Sequence, residues 1–428
     1  MIKLIESGEL DLDMLRQRSG FDVPREVEDT VREIIARVTE AGDEALFDYT
    51  ERFDGVRLSE LRVTKREMEQ ALEELDSHLL AVLHLAAENI RAFHRHQLQN
   101  GFMLTERAGV MLGQRVTAIE RVGLYVPGGT ASYPSTVLMD AIPAKLAGVP
   151  ELCICTPPDK DGRVASAILA AAQIAGVDTV YKVGGAQAVA AMAYGTESID
   201  RVYKIMGPGN IYVAAAKRQV YGQVDIDMIA GPSDVLILAD DSANPRLVAA
   251  DMLAQAEHDV LASAILVTDS RDLAEAVSVQ LESQLKLLPR EEIARRAIED
   301  NSMIVIAGDM TEGAELVNLI APEHLEIMTR EPEALLGLVR NAGSIFLGEH
   351  SVEALGDYLA GPNHTLPTMG TARFSSPLSV DDFTKKSSIT YFSRDALRNV
   401  ADDIALFARS EGLEGHARSA ELRFEEEE

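Results

Sequence analysis

Histidine, carboxylate and amide side chains recur in this chain at spacings that suit metal and proton chemistry. Gln255-Ala-Glu-His258 sets an amide and an imidazole three apart on a predicted helix over 245–257, so both share a face and can reach one ion. Pro322-Glu323-His324 places a carboxylate beside an imidazole just ahead of the strand-like LEIM. An imidazole titrates near pH ~6.5 and takes up a proton at neutral pH, while a nearby carboxylate can activate water. Asp357 offers a hard oxygen at the start of a long irregular run, 356–384, and His416 a nitrogen beyond it. Gln255, His258, Asp357 and His416 then make a nitrogen and oxygen donor set without sulfur, which suits zinc or a neighbouring first-row metal. Each feature has a plainer reading alone, since a pair at i,i+3 arises by chance and Glu-His in a turn is ordinary surface. His364, in Asn363-His364, lies in the irregular run. His78, His84, His94 and His96 fall on an amphipathic helix over 75–97 and read as a solvated or interfacial face, and His350 sits in the polar GEHS.

Four glycine-bearing turns follow predicted strands: Pro127-Gly128-Gly129, Gly184-Gly185-Ala186-Gln187, Gly207-Pro208-Gly209-Asn210 and Gly231-Pro232-Ser233-Asp234. Some open a helix, where free backbone N–H groups and the helix dipole favour an anionic or polar ligand such as a nucleotide. Gly-Gly after a strand is also common turn chemistry. None completes G-x-G-x-x-G, because Tyr212 stands where the third glycine would follow Gly207 and Gly209, so any dinucleotide is held without the usual fingerprint. Cys153 and Cys155 lie two apart in LCIC, on one face of a strand. They read as small buried hydrophobes, with no basic neighbour to lower a thiol pKa.

The elements that must position these residues are legible as an alternation. Helical periodicity runs from Pro24 to about Gln97, with Val27, Val31, Ile34, Ile35 and Val38 on one stripe, and strand-like patterns follow from Met103 to Val126. Short apolar strands then alternate with helices: LCICT, TVYKV, RVYKIM, DVLILAD, SAILVT, MIVIA and SIFLG. That is the pattern of an α/β fold, in which helices cover both faces of parallel sheets. It divides near Leu236 into two open, Rossmann-like sheets, with small helical segments at each end. The expected division is an N-terminal segment 1–24, one domain from 25–124 plus 236–381, a second from 125–235, and a C-terminal helical segment 382–428.

At 428 residues the chain is about three times a common domain length of roughly 150. A formal charge of −29 would repel a nucleic-acid backbone. No run approaches the ~18 uninterrupted apolar residues of a membrane span, and acids stand where a signal peptide needs apolar residues. A cytoplasmic protein is expected.

Taken in order, YVPGG, VGGAQAVAA, IMGPGN, AGPSD, QAEHD, APEHLE, GDYLAGPNHTLPT and EGLEGH resemble the histidinol dehydrogenase family over about residues 25–420. The resemblance implies an enzyme with one zinc per subunit that oxidises L-histidinol through L-histidinal to L-histidine, reducing two NAD⁺ at one site. By motif, His324 is implied as general base and Glu323 as the group activating water. Gln255, His258, Asp357 and His416 are implied as zinc ligands. Substrate contacts would add Ser233, His324 and Glu411 to those ligands, and NAD contacts would be Tyr125, Gln187 and Asn210, in the 125–235 domain. The resemblance also implies a homodimer that exchanges its C-terminal segments, so that Glu411 and His416 complete the other subunit's site. Two departures stand out: Asp234 where the family often has Glu, and Thr365 where Val is common. Neither is expected to touch a catalytic position. A zinc hydrolase and a non-catalytic nucleotide-binding protein are the rival readings of the same residues.

Overall fold

The computed structural model describes residues 1–10, 23–128, 132–229 and 231–425. Gly129 of the first glycine turn, Ala230 of AGPSD, residues 11–22 of the expected N-terminal segment and the last three acidic residues lie outside that set. The chain forms two compact units, residues 1–97 with 120–383, and residues 98–119 with 384–428.

The first unit contains two open parallel sheets. One has six strands in the order Lys3–Glu6, Met303–Ile306, Ser263–Thr268, Asp234–Ala239, His324–Met328, Ser344–Leu347. The other has five, Thr179–Lys182, Glu151–Thr156, Arg121–Tyr125, Lys204–Met206, Asp225–Ile226. Runs such as VLILA and SAILVT are apolar with hardly a break because helices cover both faces, and their residues are buried accordingly. The two-sheet α/β reading therefore holds. In the six-stranded sheet the chain lays Asp234–Ala239 centrally, builds outward on one side, then crosses to start His324–Met328 on the other. In the five-stranded sheet the same reversal falls between Arg121–Tyr125 and Lys204–Met206. The strand Lys3–Glu6, which the sequence pattern did not single out, pairs with Met303–Ile306 at a sheet edge.

Helix Arg25–Ala41 buries Val31, Ile34 and Val38 against helices Gly185–Tyr194 and Ile211–Val220 of the five-stranded sheet. Helix Ser77–His94 starts at Asp76, whose carboxylate accepts from the backbone of His78 and Leu79. His94 corrects one expectation: it is buried, not on a solvated face. Leu83, Ala87, Ile90 and His94 recur at three- and four-residue steps, which places the imidazole on the core stripe. Its Nδ1 lies 2.6 Å from Gln97 Oε1. Cys153 and Cys155 are free, and burial pushes the Cys153 thiol up to about 12 and Cys155 well above its ordinary value, so neither supplies a thiolate. The irregular run begins later than expected, because Glu353–Tyr358 is helical, and it is ordered through buried Leu366, Leu378 and Phe383.

The second unit pairs strands Phe102–Leu104, Val110–Ala118 and Thr384–Phe392 antiparallel. Helices Ala401–Ser410 and Glu414–Glu421 pack through Ala405, Ala408 and Ala417, with Arg409 bridging Glu414 and Glu421 at 2.8 Å each. Among the described residues no helix is long and apolar enough to cross a membrane.

Candidate active site

Glu323 and His324 sit where the chain enters His324–Met328, the strand between central Asp234–Ala239 and edge Ser344–Leu347, beside the start of Asp234–Ala239. Ligands of open α/β sheets collect beyond the carboxyl ends of strands. This pair instead occupies the amino edge. Both residues are buried. Asp234 donates its backbone N–H to Glu323 Oε2 at 3.1 Å and accepts the Glu323 N–H on Oδ1 at 2.9 Å. His324 Nδ1 lies 3.2 Å from the Asp234 carbonyl oxygen. A carbonyl only accepts, so Nδ1 carries the proton and Nε2 keeps the free lone pair. Asp234 thus grips both residues expected to be catalytic, and the expectation that this departure touches no catalytic position is corrected. Burial pushes the Glu323 carboxyl well above its usual range, helped by the Asp234 charge and opposed by hydrogen bonds from the Asp234 N–H and the Ser233 side chain. Burial pushes His324 down to about 4 against the pull of Asp357, so the imidazole is neutral.

Helix Pro245–Ala256, capped by Asn244, ends beside the pair and delivers Gln255, which is fully buried. His258 lies just past the helix, not on it, in a turn that keeps the helical i,i+3 relation through its N–H to the Gln255 carbonyl at 3.2 Å. The short helix Glu353–Tyr358 presents Glu353 and Asp357 at i,i+4. Ligand atoms of His258, Glu353 and Asp357 all lie within 4.8 Å of one another. With the Gln255 amide nitrogen turned toward Glu353, it donates to both carboxylate oxygens at 2.9 and 3.2 Å, which leaves its Oε1 as an acceptor. The set is nitrogen and oxygen only, as zinc accepts. Glu353 was not anticipated, and the signal was the i,i+4 carboxylates of EALGD. Gly356 between them is required, because a Cβ there would collide with the Phe346 ring.

Asp357 also lies 3.6 Å from His364 Nδ1. Burial alone would raise the Asp357 carboxyl, but the His364 hydrogen bond and the nearby His364, His324 and His258 rings hold it below its ordinary value. Burial, with Asp357, Glu326 and Glu323 close by, pushes Glu353 well above its own. A cavity of about 300 Å³ opens here, lined among others by His324, Phe346, Leu355, Asp357, Pro362 and His364.

Tyr125, Gln187 and Asn210 gather at the carboxyl edge of the five-stranded sheet, the conventional ligand edge. The Tyr125 hydroxyl accepts the Gly185 N–H at 3.1 Å, and Gln187 is buried with no partner for its Oε1 among the described residues. Asn210 Oδ1 caps helix Ile211–Val220 by accepting from Tyr212 and Val213 at 3.0 and 3.2 Å. One segment joins this half to the other. Asn363 Nδ2 donates to the Met139 carbonyl at 2.7 Å, His364 meets Asp357, and Thr365 Oγ1 donates to Asp140 at 2.8 Å. Glu411 and His416 belong to the second unit, both exposed, Glu411 ending helix Ala401–Ser410 and His416 within Glu414–Glu421.

A buried imidazole and a buried carboxyl side by side at one sheet edge, beside donors able to take a metal, are the makings of an α/β enzyme site. The chain is a member of the histidinol dehydrogenase family, whose profile, described as "Histidinol dehydrogenase", matches residues 17–424. It is 54% identical over 417 residues to a histidinol dehydrogenase of Geobacillus kaustophilus, covering 96% of this chain and 98% of that one. To the Bacillus subtilis protein of the same description it is 56% identical over 394 residues, 92% of each. The crystal structure of histidinol dehydrogenase from Elizabethkingia anophelis superimposes with a TM-score of 0.94 at 38% identity, covering 99% of this chain and 98% of that one.

Proposed function

We propose that this chain oxidises L-histidinol through L-histidinal to L-histidine at a single site, passing a hydride to NAD⁺ in each step, as a cytoplasmic enzyme that ends histidine biosynthesis. The observation that carries the reading, beyond family membership, is the fixed tautomer of His324. Its Nδ1–H is committed to the Asp234 carbonyl, so Nε2 is the nitrogen free to accept a proton. In the first step Nε2 takes the substrate hydroxyl proton while the carbinol C–H leaves as hydride to NAD⁺. In the second, water adds to the aldehyde carbon to give the hydrate, and Nε2, its first proton released to solvent, takes a hydrate hydroxyl proton while the C–H leaves as a second hydride to NAD⁺. Glu323, whose carboxyl burial raises above its usual range, takes a proton from that water and returns it to the aldehyde oxygen as the hydrate forms.

Gln255, His258 and Asp357 are the residues that would hold zinc, with Glu353 holding the Gln255 amide. A bound zinc would fix the imidazole and amine of the substrate. His416 and Glu411 complete the site of a second copy in a homodimer. Tyr125, Gln187 and Asn210 contact NAD, and Ser233, beside Glu323, contacts substrate. Enclosure keeps the reactive aldehyde between the two steps.

NADH formation from L-histidinol, lost with a chelator and restored by zinc, is the test. A protein that hydrolyses an ester or amide but forms no NADH overturns the proposal. His324→Ala should abolish both oxidations, whereas Glu323→Ala should impair histidinal oxidation more than the first step. Equal losses in the two steps for Glu323→Ala remove its role with water.

A further inference from the structure

Among the large, fully buried side chains of the described residues is a lysine, Lys217, on helix Ile211–Val220. It forms an ion pair with Asp227 Oδ1, and the two side chains are only 2% and 3% exposed. Both turn on one residue, Gly207. Lys217 Nζ donates to the Gly207 carbonyl at 2.9 Å, and Asp227 Oδ2 accepts the Gly207 N–H at 2.7 Å. Gly207 opens the turn Gly207-Pro208-Gly209-Asn210, with φ at +109° and no room for a Cβ against the Tyr125 carbonyl. The turn lies at the carboxyl edge, where the strand order of the five-stranded sheet reverses. Asn210 caps the helix that returns Lys217 to Gly207, and Asp227 follows the neighbouring strand Asp225–Ile226. One residue is thus gripped on both its donor and its acceptor from two separate elements.

Stability does not explain this arrangement. Taking both charges out of water costs several kcal/mol per ion, and apolar residues of similar volume often serve a fold as well. What the pair supplies is a fixed direction for the two peptides that flank Gly207, at the point where an open sheet takes its ligand. We infer that Lys217 and Asp227 are positioning residues for the nicotinamide dinucleotide, holding the Gly207–Asn210 turn in the shape that receives it. The inference rests on the reading that NAD occupies this edge.

The test compares the zinc-loaded wild type with the double variant Lys217→Met, Asp227→Asn, which removes both charges and leaves no lone buried ion. Melting temperature, the NADH Kd by fluorescence titration and the KM values for NAD⁺ and L-histidinol are measured. The double variant should melt close to wild type yet bind NADH at least about tenfold more weakly, the cost of a contact misplaced by a fraction of an ångström. The L-histidinol KM should stay within about twofold, since the metal-capable cluster lies on the other sheet. A second double variant, Lys217→Gln with Asp227→Asn, also leaves no lone buried ion, keeps a neutral donor and acceptor for Gly207 and should give a smaller loss of the same kind, which keeps the idea testable if the first double variant does not fold. An unchanged NADH Kd in a folded variant, or KM values rising together for both substrates, overturns the inference. A wild type that binds no NADH overturns the underlying reading instead.

Discussion

Asp140 should tie the stability of this fold to pH. It is wholly buried on helix Pro134–Ala147, its Oδ1 accepts from Thr365 at 2.8 Å, and its Oδ2 has no hydrogen-bond partner among the described residues. Burial pushes its carboxyl up to about 7; the Thr365 hydrogen bond opposes the rise and the Asp227 charge adds to it. A folded pKa above the unfolded one means that the native state holds the proton more tightly. The stability this gives is fully present below the unfolded value of ~3.9 and is lost as the pH rises through about 7. A tenfold difference in proton affinity is worth about 1.4 kcal/mol, so between about pH 5 and pH 8 this one group costs the native state roughly 2 to 3 kcal/mol. Asp140→Asn carries no charge at either pH and should lose that part of the slope. The new amide NH₂, if it finds no acceptor, adds about 1–3 kcal/mol of destabilisation at both pH values and cancels from the comparison. Urea unfolding of wild type and variant at the two pH values measures the difference. Parallel pH slopes would refute the reasoning.

Two further expectations concern the metal-capable cluster. Glu353→Ala removes the carboxylate that holds the Gln255 amide and stands with His258 and Asp357, and should weaken zinc binding about 10- to 100-fold in a chelator competition. Unchanged affinity would reduce Glu353 to a bystander. Inactive His258→Ala and His416→Ala chains, unfolded and refolded together, should recover part of the activity as heterodimers if sites are shared between copies. No recovery would show that each chain builds its own site.

The alternation of strands and helices was legible because a strand covered on both faces must be apolar at nearly every position, and runs such as VLILA are too short for helices. The amphipathic pattern of Arg25–Ala41 said that one face is buried, but not that it lies on the five-stranded sheet, because a periodicity names a face and not its partner. The spacing of Gln255 and His258 survived even though the helix ends at Ala256, since a turn of i,i+3 geometry keeps the two on one side. Asp234 was misjudged because its influence runs through backbone and carboxylate bonds to a strand ninety residues away in sequence, which no local pattern records. Placement of the Glu323–His324 pair at the amino end of its strand was legible, because the pair stands just ahead of LEIM.

The segment Asn363–Thr365 has a consequence for how this chain can change. Loops ordinarily tolerate insertions and deletions, because little depends on which residue sits where. Here three successive side chains alternate between helix Pro134–Ala147 and Asp357, so the connection has a register, as a strand does. Removing or adding a single residue would aim an imidazole at the helix and an amide or hydroxyl at the metal-capable cluster. Length variation among functional descendants of this chain should therefore fall outside these three positions, however irregular the backbone is there.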